Sequence, residues 1–279
     1  MNATRAAITA LNIYPVKSCR GVPLGAAEVT PTGLLHDRPW MLVRPSGRFV
    51  TQRELPRMAL LGTRVGSDGL TLTAPGMPEL NLPRIASGSA RPVTVWKFDG
   101  RGIDYGTEAA AWVTKYLETE LSLVAFDPSF PRECSTEWTQ DTPAITEFSD
   151  GFPMLVISRA SLDDLNSRLA SKSLGALPME RFRPNVVIDG VGAYDEDRIH
   201  ELRINGVTLR MVKPCARCSI TTTDQQRGEV DGVEPLRTLK EYRHDRNLKG
   251  VLFGQNAIVV SGVGERLRVG DLVDVEWRS

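Results

Sequence analysis

The protein has 279 residues, of which 41% are hydrophobic and 24% are charged, as is ordinary for a globular protein with a substantial core. Its 34 Lys and Arg residues balance 34 Asp and Glu residues, so the formal net charge is zero. A broad basic face for nucleic acid is therefore not expected. No stretch approaches the roughly 18 consecutive apolar residues of a membrane-spanning helix, so we expect no membrane span.

The first 18 residues contain no long apolar run after their single arginine, which is not typical of a secretory signal peptide. Four cysteines in a chain of this size, without such a signal, indicate a reducing compartment. The expected location is therefore cytoplasmic.

Short strands dominate the first hundred residues. Apolar alternation and Pro or Gly punctuation predict strands over residues 7–16, 38–50, 69–75 and 91–100. The last of these predictions places a turn at Asp99-Gly100.

Three segments have the apolar spacing of amphipathic helices. Residues 107–121 repeat apolar side chains every four positions, with Thr107 as the expected N-cap. Residues 158–170 show a similar stripe with Ser161 as the cap, and residues 234–244 form the third segment.

The pair Asn205-Gly206 lies between alternating apolar residues in segment 200–214 and predicts a tight β-hairpin. Further strands are expected over residues 183–190, 255–262 and 267–277. Short strands with few interspersed helices predict an α+β, β-rich fold built on a β-barrel.

A division into two units is predicted where the periodicity fades. Residues 122–150 are rich in Pro, Ser, Thr and acidic residues, and a long irregular segment inside a compact protein is often functional. We place an N-terminal β-rich, barrel-like unit over residues 1–121 and a C-terminal barrel domain over residues 122–279.

Cys215 and Cys218 form a Cys-x-x-Cys motif that no second cysteine pair matches. A structural zinc site would need two more ligands, and an iron–sulfur cluster would need more clustered cysteines. A redox dithiol normally lies at a helix N-terminus, whereas the β-branched run after Cys218 favours a strand. Two further interpretations stay open: a pair of core thiols, or a single thiolate that binds a soft metal carried by an organic cofactor.

Groups that could bind an anionic cofactor occur elsewhere in the chain. Lys17 and Ser18 follow a predicted strand in a Gly-containing loop, as in a phosphate cradle. Arg38 precedes another strand. Arg183 offers a bidentate fork for phosphate, and Asn185 offers an amide for polar ring edges. Each of these residues taken alone is also consistent with an ordinary polar loop.

Taken together and in order, these fragments resemble the MOSC-domain family. The segments that carry the resemblance are YPVKSCRG, HDRPW, FRPNVVI, PCARCSITTTD, LFGQNAIVV and LRVGD, between about residues 6 and 276. The chain is most similar to the branch with an N-terminal MOSC β-barrel unit, which includes the mitochondrial amidoxime-reducing component and its bacterial relatives.

The resemblance implies that the protein binds molybdenum cofactor, a pterin dithiolene with a phosphate tail, between its two units. It implies that Cys218 is the metal ligand and that Cys215 is not. The implied cofactor contacts are Lys17, Ser18, Arg38, Gly151, Phe152, Arg183, Asn185, Ala216 and Cys218. Relatives can carry Thr-Ser at Gly151-Phe152 and Ser at Ala216, so backbone contacts are expected at these positions.

Asp150 aligns with an acid close to the metal, which implies that it positions a water molecule or a substrate amine. The alternative is an aspartate that caps a helix or turn.

The function implied by the resemblance is a molybdenum-cofactor-dependent oxidoreductase. Relatives reduce N-oxygenated compounds such as hydroxylamines, amidoximes and N-hydroxylated bases. A separate ferredoxin, flavoprotein or cytochrome is expected to supply electrons, because the sequence ends soon after its last predicted strand. The alternative is a carrier of molybdenum cofactor or sulfur, with Cys218 as a transfer thiol, and a zinc-bound barrel is a third possibility.

Overall fold

The structure, a computed structural model, describes residues 5–67 and 69–278. The helices are α1 (Thr107–Leu117), α2 (Thr136–Thr139), α3 (Arg159–Ala170) and α4 (Leu236–Tyr242), with short 3₁₀ turns at Pro56–Leu60, Met179–Phe182, Asp195–Asp197 and Ser219–Thr222. The strands are β1 (Arg5–Ile13), β2 (Val22–Leu24), β3 (Ala26–Thr30), β4 (Gly33–Leu34), β5 (Trp40–Val43), β6 (Gly62–Val65), β7 (Gly69–Thr73), β8 (Leu80–Pro83), β9 (Ala90–Val95), β10 (Phe98–Asp104), β11 (Ser122–Phe126), β12 (Arg132–Glu133), β13 (Ile145–Thr146), β14 (Met154–Ser158), β15 (Val186–Asp189), β16 (Ile199–Ile204), β17 (Val207–Arg217), β18 (Thr223–Asp224), β19 (Glu229–Val230), β20 (His244–Asp245), β21 (Gly250–Ser261), β22 (Arg266–Arg268) and β23 (Leu272–Trp277).

Seven strands close into a β-barrel in the order β14, β15, β1, β23, β16, β17 and β21, and pairing of β21 with β14 completes the ring. The pair β14–β15 is parallel, and the other pairs are antiparallel. Alternate side chains fill the interior, among them Ile8, Leu11, Val186 and Leu209. The predicted β-rich α+β fold with a barrel is confirmed.

A second core lies outside the barrel. It is formed by the sheet β5-β11-β10-β9, the sheet β6-β7-β8 and helix α1, with Leu42, Trp112 and Leu123 buried at its centre. The chain enters this unit directly from the barrel, because Val16 follows β1 and pairs with Trp40 at the start of β5. The first strand therefore belongs to the barrel, and the division after residue 121 stays a prediction.

The hairpin predicted at Asn205-Gly206 is confirmed. Strands β16 and β17 pair up to Ile204 opposite Val207, which leaves a two-residue turn. Asn205 and Gly206 have φ values of 47° and 88°, the positive values that a type I′ turn requires.

Two predicted caps lie elsewhere. Helix α1 has Gly106 at its N-cap, one residue before the expected Thr107. Helix α3 has Ser158 at its N-cap. The expected cap Ser161 instead donates its hydroxyl to the buried carboxylate of Glu196, at 2.7 and 2.8 Å from the two oxygens.

The turn predicted at Asp99-Gly100 is wrong. Val95 pairs with Phe98, so the β9–β10 hairpin turns at Trp96-Lys97, and Asp99 lies within β10. There the Asp99 carboxylate accepts a cross-strand hydrogen bond from the Thr94 hydroxyl at 2.8 Å. The turn-favouring pair Asp99-Gly100 therefore lies in a strand, where the cross-strand contact with Thr94 stabilises it.

None of the helices within the described ranges is long and apolar enough to cross a membrane.

The β16–β17 turn gives a test of this register. Gly206→Ala should lower the free energy of unfolding by about 1 kcal/mol, because a Cβ atom is strained at positive φ. Chemical denaturation measures the change. Gly175→Ala is the matched control: a Cβ atom there meets nothing within 4 Å, so no loss is expected. Equal losses in the two variants would contradict the turn assignment.

Candidate functional site

A pocket lies where the barrel meets the second unit. It is lined by the loop after β1, the loop before β14, the residues just before β15 and the end of β17. Every site residue predicted from the sequence lines this one pocket: Lys17, Ser18, Arg38, Asp150, Gly151, Phe152, Arg183, Asn185, Ala216 and Cys218. The structure therefore brings the predicted set together, and the role of each residue stays a prediction.

The four cysteines differ in accessibility. Cys218 is partly exposed in the pocket. Cys215 also lines the pocket, but it packs against the apolar cluster around α3 and α4, and its sulfur accepts a hydrogen bond from Arg217 at 2.9 Å. Cys19 and Cys134 are buried, and burial raises their pKa values to about 12 and about 11. Cys215 and Cys218 are thus the two cysteines accessible to a ligand in the pocket, and of these Cys215 already packs against apolar side chains and Arg217.

The strand expected after Cys218 is wrong, because Ser219–Thr222 forms a 3₁₀ turn. The Cys218 carbonyl accepts hydrogen bonds from the Thr221 amide at 3.1 Å and the Thr221 hydroxyl at 2.9 Å. The Thr222 hydroxyl bonds to the Ser219 carbonyl in the same way. These local side-chain bonds outweigh the strand preference of threonine and hold the Cys218 backbone in place.

Lys17 is a buried cation, only 4% exposed, at the base of the pocket. Its Nζ atom donates to the Phe148 carbonyl at 2.7 Å and to Asp150 Oδ1 at 2.5 Å. Burial lowers the pKa of Lys17 to about 8, although the Asp150 carboxylate opposes this shift. Lys17 therefore remains mostly protonated at neutral pH.

Asp150 faces the pocket with 66% of its side chain exposed. Loss of water contacts by itself would raise its pKa, but the charge and hydrogen bond of Lys17, with a further bond from Trp96, hold the pKa well below its ordinary value. Solvent moderates the size of this shift, and its direction follows from the short charged contact. Asp150 accepts from these two side chains rather than capping a helix, so it is an ionised acceptor at the pocket wall.

Arg183 carries an unpaired donor. Its Nη1 atom donates to the Cys19 carbonyl at 2.7 Å, and its guanidinium lies 4.1 Å from the Tyr14 ring centroid. Its buried Nη2 atom has no hydrogen-bond partner within residues 5–67 and 69–278. Burial lowers the pKa of Arg183 to about 10, so the group stays charged at neutral pH. A buried, unpaired guanidinium N–H costs about 1–3 kcal/mol, which an anion in the pocket would offset.

Arg38 is oriented by the protein on both sides. It pairs with the buried carboxylate of Asp37 and donates to Asn185 Oδ1 at 3.3 Å. Asn185 is 0% exposed: its Oδ1 also accepts from the Leu155 amide, and its Nδ2 donates to the Asn12 carbonyl. The amide expected to contact a ring edge is thus engaged with protein groups, and it positions Arg38.

Three pocket residues have strained backbones. Ser18, Arg38 and Arg183 have φ values of 63°, 63° and 57°, a region that residues other than glycine seldom occupy. Such strain persists only when the surrounding contacts enforce it, and it is common at functional sites. No pattern in the sequence predicted these positive φ values.

The remaining predicted residues leave space in the pocket. A Cβ atom on Gly151 would meet nothing within 4 Å, and Ala216 is exposed. Phe152 is 9% exposed and packs with Cys134 and Ile258, so its ring belongs mainly to a small apolar cluster. These positions offer backbone atoms and room for a ligand.

Several residues that line the pocket, such as Arg217 and Asn256, were not predicted from the sequence, nor were two residues that hold its wall, Arg132 and Trp96. Arg132 donates to the carbonyls of Glu147, Ser149 and Asp150 at 3.0, 2.5 and 2.8 Å and so fixes the loop before β14. Trp96 donates its indole N–H to Asp150. Arg132 lies in a segment without periodicity, and Trp96 was assigned to a strand, so neither had a recognisable signal.

The donor set distinguishes between kinds of metal site. Over residues 5–67 and 69–278, no group of three or more His, Cys, Asp or Glu side chains could hold a metal ion. The pocket instead combines a partly exposed thiol with buried cations and a guanidinium N–H that is unpaired within the described ranges. That set fits an anionic organic group that brings most of the metal ligands itself.

Comparison with known proteins identifies both units. A family described as "MOSC N-terminal beta barrel domain" matches residues 5–120, and one described as "MOSC domain" matches residues 144–274. Mitochondrial amidoxime-reducing component 1 from Homo sapiens is 38% identical in an alignment that covers 95% of this chain and 82% of that protein. Mitochondrial amidoxime reducing component 2 from Homo sapiens is 39% identical over 245 residues, which cover 85% and 72%. The chain belongs to the MOSC-domain family of the amidoxime-reducing components.

The buried lysine of this MOSC-domain chain gives a pH-dependent prediction for the unliganded protein. The folded-state pKa of Lys17, about 8, lies below its ordinary value of 10.5, so the unfolded chain binds more protons between these values. The free energy of unfolding contributed by this group should therefore rise with pH across that window, by about 1 kcal/mol or more. Urea denaturation at several pH values measures the slope.

Lys17→Met should lack this rise, and the exposed Lys97→Met should keep it. The difference between the two variants removes contributions from other groups that titrate at high pH. Identical slopes would show that Lys17 is not a buried cation.

Proposed function

We propose that this chain is a molybdenum-cofactor-dependent oxidoreductase that reduces N-oxygenated compounds, such as amidoximes, hydroxylamines and N-hydroxylated bases. The observation that carries the proposal is the pocket itself: the partly exposed Cys218 lines it together with Arg183, whose buried Nη2 atom has no partner among the residues that the structure describes. Relatives named amidoxime-reducing components at about 38% identity support it.

Different residues of the pocket would bind different parts of the cofactor. Cys218 would ligate the metal, because a thiolate is the soft donor that such a metal favours. Lys17, Arg38 and Arg183 would neutralise the phosphate, and the Nη2 atom of Arg183, which has no partner in the described part of the chain, could donate a hydrogen bond to it. Gly151 and Ala216 would contribute backbone contacts. When bound, the cofactor would supply the two-electron redox chemistry, and the protein would hold and orient it.

Asp150 would orient the substrate, and Lys17 would supply a proton for the reaction. The Asp150 carboxylate is ionised and exposed to the pocket, so it can accept a hydrogen bond from a substrate N–H and orient the nitrogen. The Lys17 ammonium keeps that carboxylate ionised and holds a proton at Nζ, 2.5 Å from Asp150 Oδ1. With a pKa of about 8, Lys17 carries a proton at neutral pH that it can release during the reaction and regain from solvent.

We further propose that the electrons come from a separate ferredoxin, flavoprotein or cytochrome and that the protein is cytoplasmic. The resemblance to the family supports the first proposal. The four cysteines, all free thiols, are consistent with a reducing compartment.

The two cysteines of the Cys-x-x-Cys motif provide the direct test. Cys218→Ala should abolish both metal retention and reduction of benzamidoxime, because the sulfur ligand is lost. Cys215→Ala should keep most of both, because that thiol packs against the apolar cluster and Arg217. Elemental analysis, pterin fluorescence and turnover with reduced methyl viologen provide the three measurements.

Equal molybdenum content in the two variants would refute Cys218 as the ligand. Molybdenum bound by the wild type without any turnover of N-oxygenated substrates would contradict the reductase assignment while leaving cofactor binding intact.

A further inference from the structure

Trp96 stands beside the pocket at the tip of the β9–β10 hairpin and is 47% exposed. Its indole Nε1 donates to Asp150 Oδ1 at 3.0 Å, the same oxygen that accepts from Lys17. The indole therefore continues the pocket wall outward from the carboxylate proposed to orient the substrate.

The indole is held by neighbours on two sides. The Arg53 guanidinium carbon lies 4.5 Å from the ring centroid, and the Phe49 ring meets it edge-on with centroids 5.2 Å apart. Arg53 is itself tied to the Thr51 hydroxyl, through its backbone amide at 3.3 Å and its Nε atom at 3.2 Å. Nearly half of Trp96 nevertheless remains accessible to solvent beside Asp150, which lines the pocket.

The turn itself gives no reason for a tryptophan. Trp96 has a φ value of 57° in a two-residue hairpin turn, where Gly, Asn and Asp are the usual residues. A bulky side chain in this conformation costs backbone free energy. The indole is therefore explained by its contacts and its exposed face rather than by turn chemistry.

We propose that Trp96, supported by Arg53, is a specificity-determining residue that forms a stacking surface for planar, aromatic N-oxygenated substrates. The inference rests on the proposed function and adds to it a residue that selects among its substrates. A substrate whose N–O group reaches past Asp150 would lay its ring against the indole. Stacking accepts any flat π-system, so the surface favours aryl amidoximes and N-hydroxylated bases over compact aliphatic analogues.

The test compares benzamidoxime with acetamidoxime, which share the reacting group and differ in the ring. In Trp96→Ala protein loaded with cofactor, the ratio of kcat/KM for benzamidoxime to kcat/KM for acetamidoxime should fall about ten-fold, mainly through the KM for benzamidoxime. Trp96→Phe keeps a ring and should retain most of the ratio. Trp277→Ala removes an exposed tryptophan on β23 and should leave the ratio unchanged.

Trp96→Asn separates specificity from folding. Asparagine suits a positive φ, so the thermal midpoint should stay closer to that of the wild type than in the alanine variant, while the ratio should fall as it does in the alanine variant. Loss of the ratio only in variants with a lowered midpoint would mean that Trp96 acts through stability, and it would overturn the inference.

A binding measurement is independent of turnover. The indole N–H resonance of Trp96, assigned by its absence in Trp96→Phe, should shift more on titration with benzamidoxime than with acetamidoxime, because only benzamidoxime has a ring to lie against the indole. A protein that reduces neither compound would refute the proposed function, and this shift would still support the stacking surface. An unshifted resonance at saturating benzamidoxime, or an unchanged ratio in Trp96→Ala, would overturn it.

Discussion

The site depends on one buried cation. Lys17 lies just beyond the first barrel strand, and its ammonium reaches the Phe148 carbonyl and the Asp150 carboxylate, more than 130 positions along the chain. A buried charge is costly unless it is paired and hydrogen-bonded. These two contacts therefore fix the loop before β14 against the loop after β1. The position of Asp150 follows from this constraint, and so does the contact that Trp96 makes with it.

The features predicted well from the sequence are those whose cause is local. The turn at Asn205-Gly206 forms as predicted because both residues tolerate positive φ and no tertiary contact competes. At Asp99-Gly100 the same kind of local signal was wrong. Trp96 takes the turn position against its own backbone preference, because Arg53, Phe49 and Asp150 hold its ring. Local propensity failed where tertiary contacts outweighed it, beside the pocket.

The order of the sequence motifs predicted which residues form the site, but it did not predict the contacts that each residue makes. Motif order identified Asn185, but its partners Arg38, Leu155 and Asn12 are set by how β1, β14 and β15 pair. Arg132 had no motif, although it holds three carbonyls of one loop. Residues that act by positioning another residue leave little trace in the sequence, because their function lies in long-range geometry.

The pocket has free-energy costs that a ligand can offset. Its backbone is strained at Ser18, Arg38 and Arg183, the Nη2 atom of Arg183 is buried without a partner in the described chain, and Lys17 is desolvated. Each feature makes the folded protein less stable than a neutral, relaxed pocket would, and the two charged groups favour an anion when one binds. Because the groups are already in place, an incoming ligand would not have to order them, and its binding free energy would appear directly as added stability. Binding and folding of this chain are therefore linked through the same few cations.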